Sequence, residues 1–112
     1  MEFHGNYKRV FDLLRIGSDN AMTCKEISRL LNLTPRTVRE CIRNLILKYK
    51  IPIIAKRKGN KRGYFIPSND SELLQGIITL ESQLTEEEKR LSILNEIDLQ
   101  AFLNKYRGSK NV

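Results

Sequence analysis

The sequence predicts an α+β chain that is mostly helical: three short helices, a two-stranded hairpin, then a long C-terminal helix or helical hairpin. Three observations predict it. Apolar residues recur at helical spacing over about residues 5–49. Residues 51–67 read as two β-rich runs around a glycine-bearing turn. Leucines and isoleucines then alternate at spacings of four and three over about residues 70–106.

Tyr7, Val10, Phe11 and Leu14 mark the first helix, about residues 5–16, and the turn formers of GSDNA end it. Thr23 followed three residues later by Glu26 is a capping box, in which each side chain satisfies an orphan amide at a helix start. It opens a short second helix with Ile27, Leu30 and Leu31 on its apolar face, and NL interrupts that helix. Thr34 then caps a third helix. Pro35 suits its first turn, where the missing N–H would be unpaired anyway. At about 100° per residue, Val38, Cys41, Ile42, Leu45 and Tyr49 share one side. Arg36, Glu40, Arg43 and Leu47 fall opposite, with Thr37, Arg39 and Asn44 on the flanks.

Pro52 is expected to end this helix. IPIIAKR and RGYFIP follow as two strands joined by KGN. The hairpin carries Lys56, Arg57, Lys58, Asn60, Lys61 and Arg62 around its turn. In the tail, Leu73, Ile77, Leu80, Leu84, Leu91 and Leu94 form a heptad seam, with Glu87 filling the one missed position. So long a helix has too little else in the chain to pack against, which argues for a partner helix from another chain. Thr85 with Glu88 is itself a capping box, so the tail is either one helix or two with a break there. Glu87 and Asp98 interrupt the seam and leave a folded-back hairpin open. The domain reading is therefore 1–67 as a head, 68–107 as a helical oligomerisation or partner segment, and 108–112 as a disordered terminus.

Charge separates the two parts. The 112 residues carry a net charge of +7. Residues 1–67 hold 15 basic and 5 acidic side chains, and residues 68–112 hold 5 basic and 8 acidic. A basic head on an acidic tail points to a polyanion-binding module joined to something with another job. A helix, a tight turn, a second helix with an Arg-rich outer face and a basic hairpin occur here in the order of a winged helix-turn-helix. Such a fold lays its recognition helix in the major groove and its wing on phosphates. Double-stranded DNA is the expected partner. Arginine reads guanine bidentately there, and glutamate accepts from cytosine or orients a neighbouring arginine.

The stretch TCKEISRLLNLTPRTVRECIRNLILKYKIPIIAKRKGNKRGYFIP resembles the winged helix-turn-helix of the biotin-repressor type, with the match running over about residues 5–67. The carriers are the TPRTVRECIRNL helix, IPI, and the GY after the turn. The resemblance implies base or backbone contacts from Thr34, Arg36, Thr37, Arg39, Glu40, Arg43 and Asn44, and wing contacts from residues 56–62. The ligase domain of that repressor has no counterpart here, so its activity does not carry over. Small proteins of this build, with a helical tail, look like phage or mobile-element DNA-binding proteins.

Other classes are not expected. No run of about 18 apolar residues suits a membrane helix, and the N-terminus lacks an apolar leader, so a cytoplasmic protein is expected. Cys24 and Cys41 with the single His4 give no zinc-site spacing, and no cofactor is implied. Cys41 reads as a small core residue. Cys24, in the first turn of a helix, is a candidate for a lowered thiol pKa. Tyr64 and Phe65 read as packing residues of the wing. The Glu86, Glu87 and Glu88 run points around its helix, and no nucleophile–base pair is visible, so no enzyme is expected. A dimeric transcriptional repressor is the leading expectation. A replication, recombination or packaging accessory and a winged-helix protein-interaction module are the alternatives.

Overall fold

The computed structural model describes residues 3–110. The first two residues of the expected head and the last two of the expected disordered terminus lie outside the described residues. The elements run α1 (Gly5–Leu13), a 3₁₀ turn (Ser18–Asn20), α2 (Cys24–Leu31), α3 (Pro35–Leu47), β1 (Ile54–Lys56), β2 (Gly63–Phe65), α4 (Asp70–Glu96) and α5 (Leu99–Lys110). Contacts divide the chain into two units, Met1–Ile77 and Ile78–Val112. The first is longer than the expected head of 1–67.

In the first unit, α1, α2 and α3 pack around Val10, Ile27, Val38 and Leu45, all fully buried. Each such side chain contributes about 1.5–3 kcal/mol by leaving water. Phe3, Leu14, Met22, Cys41, Ile42, Ile51 and Ile53 complete the core. The apolar face expected for α3 is the buried one, and burial raises the thiol of Cys41, which packs as a small apolar residue. Leu30, expected on the α2 core face, is instead 58% exposed. Tyr49 lies beyond the helix end, where its ring meets Phe3 at 4.8 Å and Tyr7 at 5.8 Å.

Both expected N-caps form. Thr23 Oγ1 accepts from the Glu26 amide at 3.0 Å while Glu26 Oε1 accepts from the Thr23 amide at 3.2 Å. Thr34 Oγ1 accepts from the Thr37 amide at 3.1 Å. Between the helices Asn32 adopts the left-handed conformation, φ 54°, and the Ser28 hydroxyl donates to the Leu33 carbonyl. The end of α3 corrects the expectation that Pro52 stops it. Lys50 takes φ 59°, its amide donates to Ile46 O, and the Ile51 amide donates to Leu45 O. Left-handed Lys50 with its 5→1 bond is an αL closure, and Pro52 merely follows it.

The first helix is shorter than the expected 5–16. It stops at Leu13 because the chain is needed for sheet pairing: the Ile66 amide donates to Arg15 O at 2.9 Å and the Gly17 amide to Ile66 O at 2.8 Å. Ile54, Ala55 and Lys56 pair antiparallel with Phe65, Tyr64 and Gly63. The strands are shorter than expected, so the loop between them spans 57–62 and not KGN alone. Met22 pairs with Tyr64 on the other edge of β2, exchanging bonds of 3.0 and 2.7 Å. The hairpin is thereby stitched to the residue before the α2 cap. Three helices with this hairpin, followed by a long C-terminal helix, make a winged helix-turn-helix.

The start of α4 belongs to the first unit. Asn69 Oδ1 accepts from the Glu72 amide at 2.9 Å, and Glu72 accepts from the amides of Ser68 at 2.9 Å and Ser18 at 3.1 Å. These donors, with the Ser68 hydroxyl and nearby Lys56, hold the Glu72 carboxyl below the usual carboxylate range. A lowered carboxyl stabilises the folded state fully above its ordinary value, about 4.3, and loses that contribution as the pH falls through the lowered value. We expect Glu72→Gln to lower the thermal midpoint at pH 7, with the gap to the parent closing on acidification. Parallel thermal melts across pH check it, and a gap that persists in acid contradicts it.

In the second unit, α4 runs unbroken through Thr85–Glu88, so the tail is two helices but not with the expected break. Thr85 Oγ1 donates to Glu81 O at 3.1 Å, which satisfies the hydroxyl inside the helix. The break falls at Ile97–Asp98, where Asp98 Oδ1 accepts from the Ala101 amide at 3.0 Å and caps α5. Helix α5 continues to Lys110, into the stretch 108–112 expected as a disordered terminus.

Candidate nucleic-acid interface

Helix α3 is held by its buried side, which fixes what its other side presents. Arg36, Arg39, Glu40 and Arg43 are all exposed. Glu40 pairs with Arg36 at 3.5 Å, with the two side chains 62% and 87% exposed. So open a pair is worth little, and both groups stay available to a ligand. Arg39 leans toward the start of α2, where its Nη1 lies 3.8 Å from Cys24 Sγ. Cys24 Sγ in turn donates to Pro35 O at 3.4 Å. The thiol of Cys24 is thus engaged in local bonds between α2 and α3.

Three of the expected contact residues stand apart from this group. Asn44 is half-buried and donates from Nδ2 to Tyr7 Oη at 3.1 Å, which ties α3 to α1. Thr34 and Thr37 bond each other, Oγ1 to Oγ1 at 2.9 Å, within the cap. Their expected DNA contact has to coexist with these structural bonds, and for Asn44 the bond faces the helix core. The asparagine spacing alone gave no sign of a tyrosine partner 37 residues upstream.

The hairpin splits in the same way. Arg57, Lys58, Asn60, Lys61 and Arg62 are exposed around the loop, where Gly59 takes φ 94° and Arg62 Nε donates to Gly59 O at 3.4 Å. Lys56 is different. It sits at the strand end, half-buried, and its Nζ donates to Ser18 Oγ at 3.0 Å beside Glu72. Lys56 is better placed to lock the hairpin onto the 3₁₀ turn than to hold a phosphate. The sequence placed it in the basic run but could not show that its strand face looks inward.

Two connections join the loop to the helices. The Glu26 carboxyl is held below the usual range first by the Thr23 amide and hydroxyl, then by Arg29 and by Lys61 of the loop. Tyr64, half-buried, has its hydroxyl pushed up by burial while Arg39 and Arg57 pull it down. The α2 start, the α3 arginine and the loop cations therefore share one electrostatic neighbourhood around Tyr64. Tyr64 belongs in the site as its packing centre, consistent with the wing-packing role expected for it.

An exposed arginine face, backed by a buried core and flanked by a cationic loop, matches the chemistry of a DNA phosphate and base reader. Residues 14–58 match the family model of the helix-turn-helix domain of the M protein trans-acting positive regulator (MGA). The head is a winged helix-turn-helix of the DNA-binding kind. The match reaches from the end of α1 to the start of the hairpin loop, so it covers the capped α2, the turn and α3. It supports the winged helix-turn-helix DNA-binding class in general and not the expected biotin-repressor type specifically. No curated protein and no solved structure matches the chain. No helix among the described residues is long and apolar enough to cross a membrane. No cluster among them could hold a metal ion.

Proposed function

We propose that this protein is a sequence-specific double-stranded DNA-binding regulator of transcription that works as a dimer in a bacterial cytoplasm. The observation that carries the reading is the exposed face of α3, with Arg36, Arg39, Glu40 and Arg43 set beside the loop cations. The helix-turn-helix match supports it. In this reading α3 enters the major groove, and Arg57, Lys58, Lys61 and Arg62 neutralise flanking phosphates. Dimerisation uses the apolar seam of the tail, of which Leu80, Leu84, Leu91 and Leu94 are 57, 56, 60 and 66% exposed. Ile77 is 42% exposed, and Leu73 is half-buried at the start of α4. Two half-sites then follow from two copies. No catalytic role is part of the reading, and a phage-encoded source fits it as well as a chromosomal one.

Repression is the simplest outcome, because a small protein blocks a promoter by occupancy. Activation is the second reading, favoured by the match to a domain named for a positive regulator. It requires the tail to engage a protein partner. A reporter gene behind the selected site separates the two: expression falls on induction of a repressor and rises with an activator.

Counterion release tests the DNA contact itself. About five phosphates per protomer give a dimer about ten, and the logarithm of affinity then falls against the logarithm of salt with a slope of about −9. Fluorescence anisotropy of a labelled duplex across salt concentrations measures it. A slope near zero contradicts the interface.

A further inference from the structure

Both helices of the second unit expose apolar stripes. The α4 stripe is the leucine seam described above. On α5, Leu99, Phe102 and Tyr106 are 63, 55 and 44% exposed, and with Leu103 they recur at helical spacing along one face. These exposures show that α5 does not cover the seam of its own chain. An isolated helix of this length is marginal in water, so α5 needs an apolar surface to lie on.

Length, charge and one carboxylate choose that surface. The 12 residues of α5 span about 18 Å, and the seam from Leu80 to Leu94 about 21 Å. The α4 part of the unit is acidic, with Glu81, Glu86, Glu87, Glu88 and Glu96 against Lys89 and Arg90. Helix α5 has Lys105 and Arg107 and no acidic residue. Glu87 stands in the middle of the seam, paired with Arg90 at 3.1 Å while its side chain stays 66% exposed. An in-register parallel pairing of two α4 helices brings Glu87 onto its own copy, two like charges in an apolar layer. A cationic, apolar-striped helix is the complement that layer calls for.

We propose that α5 of one copy lies on the α4 seam of a second copy, and reciprocally, so that the dimer is closed by exchanged α5 helices. The arrangement is isologous, with Lys105 and Arg107 of each protomer facing the acidic run of the other. It rests on the dimer reading above and specifies which helices meet.

Two full-length variants test it. One carries Glu81→Lys, Glu87→Lys and Glu88→Lys; the other carries Lys105→Glu and Arg107→Glu. Each variant places like charges across both contacts of its own dimer, and each is expected to self-associate more weakly by on the order of a hundredfold. Mixed one to one, both contacts become attractive and a heterodimer forms. Light scattering after size exclusion reads the masses. Far-UV circular dichroism checks helix content, and recovery on mixing shows that both variants are folded. If the parent chain is a dimer but the variants also dimerise like it, or their mixture forms no heterodimer, the exchange is wrong and the dimer reading stands. If the parent chain is monomeric throughout the micromolar range, the dimer reading itself fails.

Discussion

Replacing Arg39 and Arg43 together by alanine is expected to remove sequence choice while leaving weak, salt-sensitive DNA binding. Both lie on the exposed face of α3, and neither supports the core. Arg39 gives up only its long contact with Cys24 Sγ, so the fold should hold. A bidentate arginine–guanine pair discriminates by about 1–3 kcal/mol, so the pair of substitutions costs about 2–6 kcal/mol on the preferred site. On random duplex the loss is smaller, because the loop cations remain. The contrast is the loop variant Lys58→Ala with Lys61→Ala. That variant should weaken binding by similar amounts on every sequence. It should also flatten the salt slope by about one unit for each phosphate left without its lysine. Anisotropy titrations on preferred and scrambled duplexes compare the two. Equal losses on both duplexes for the Arg39 and Arg43 variant contradict the division between a reading helix and a holding loop.

Gly63→Ala is expected to be strongly destabilising. Gly63 takes φ 123°, a conformation that side chains resist. A Cβ there would lie 2.1 Å from Met22 O, 2.2 Å from Met22 C and 2.5 Å from Thr23 N. These are backbone atoms, held by the Met22–Tyr64 exchange on one side and by the α2 capping box on the other. Relief therefore means moving β2 off Met22 and breaking the stitch between hairpin and helices. Backbone strain and overpacking each cost about 1–3 kcal/mol, so about 3 kcal/mol or more is expected in total. For a domain of this size that lowers the thermal midpoint by about 12 °C or more. A thermal melt reads it directly. A midpoint unchanged from the parent would show that β2 is not bound to Met22 in this way.

Much of the head was legible because its signals are local. Thr23 with Glu26, and Thr34 with Pro35, announce two helix starts within a few residues of chain, and both caps form. The apolar period of α3 fixed which side is buried, and so which arginines face out. What the chain hid depends on partners far away in sequence. The first helix ends early because residues 15–17 pair with Ile66, and no window around Leu14 contains that strand. Lys56 looks like its cationic neighbours until the pairing of Ile54 with Phe65 fixes its face, and Ser18 and Glu72 then meet it. Gly63 looked like an ordinary residue at the base of a turn; its need to be glycine comes from the Met22 backbone.

The tail shows the limit of pattern in another way. Thr85 with Glu88 read as a possible helix start and Asp98 only as an interruption of the seam, yet the break and the cap fall at Asp98. Thr85 sits within a continuing apolar seam, and an intrahelical carbonyl satisfies its hydroxyl, so nothing forces a break. At Asp98 the aspartate accepts from an amide that would otherwise be orphaned. The heptad pattern was visible, but Glu87 within it is the residue that separates one mode of pairing from another.

The measurement that bears most directly on the central claim is selection from random duplex DNA by the purified protein at physiological salt, about 0.15 M. A sequence-reading dimer predicts enrichment of one motif with two related half-sites. Recovery of DNA without any motif would contradict it: the loop cations would then be binding phosphate without regard to sequence, and α3 would not be a reader.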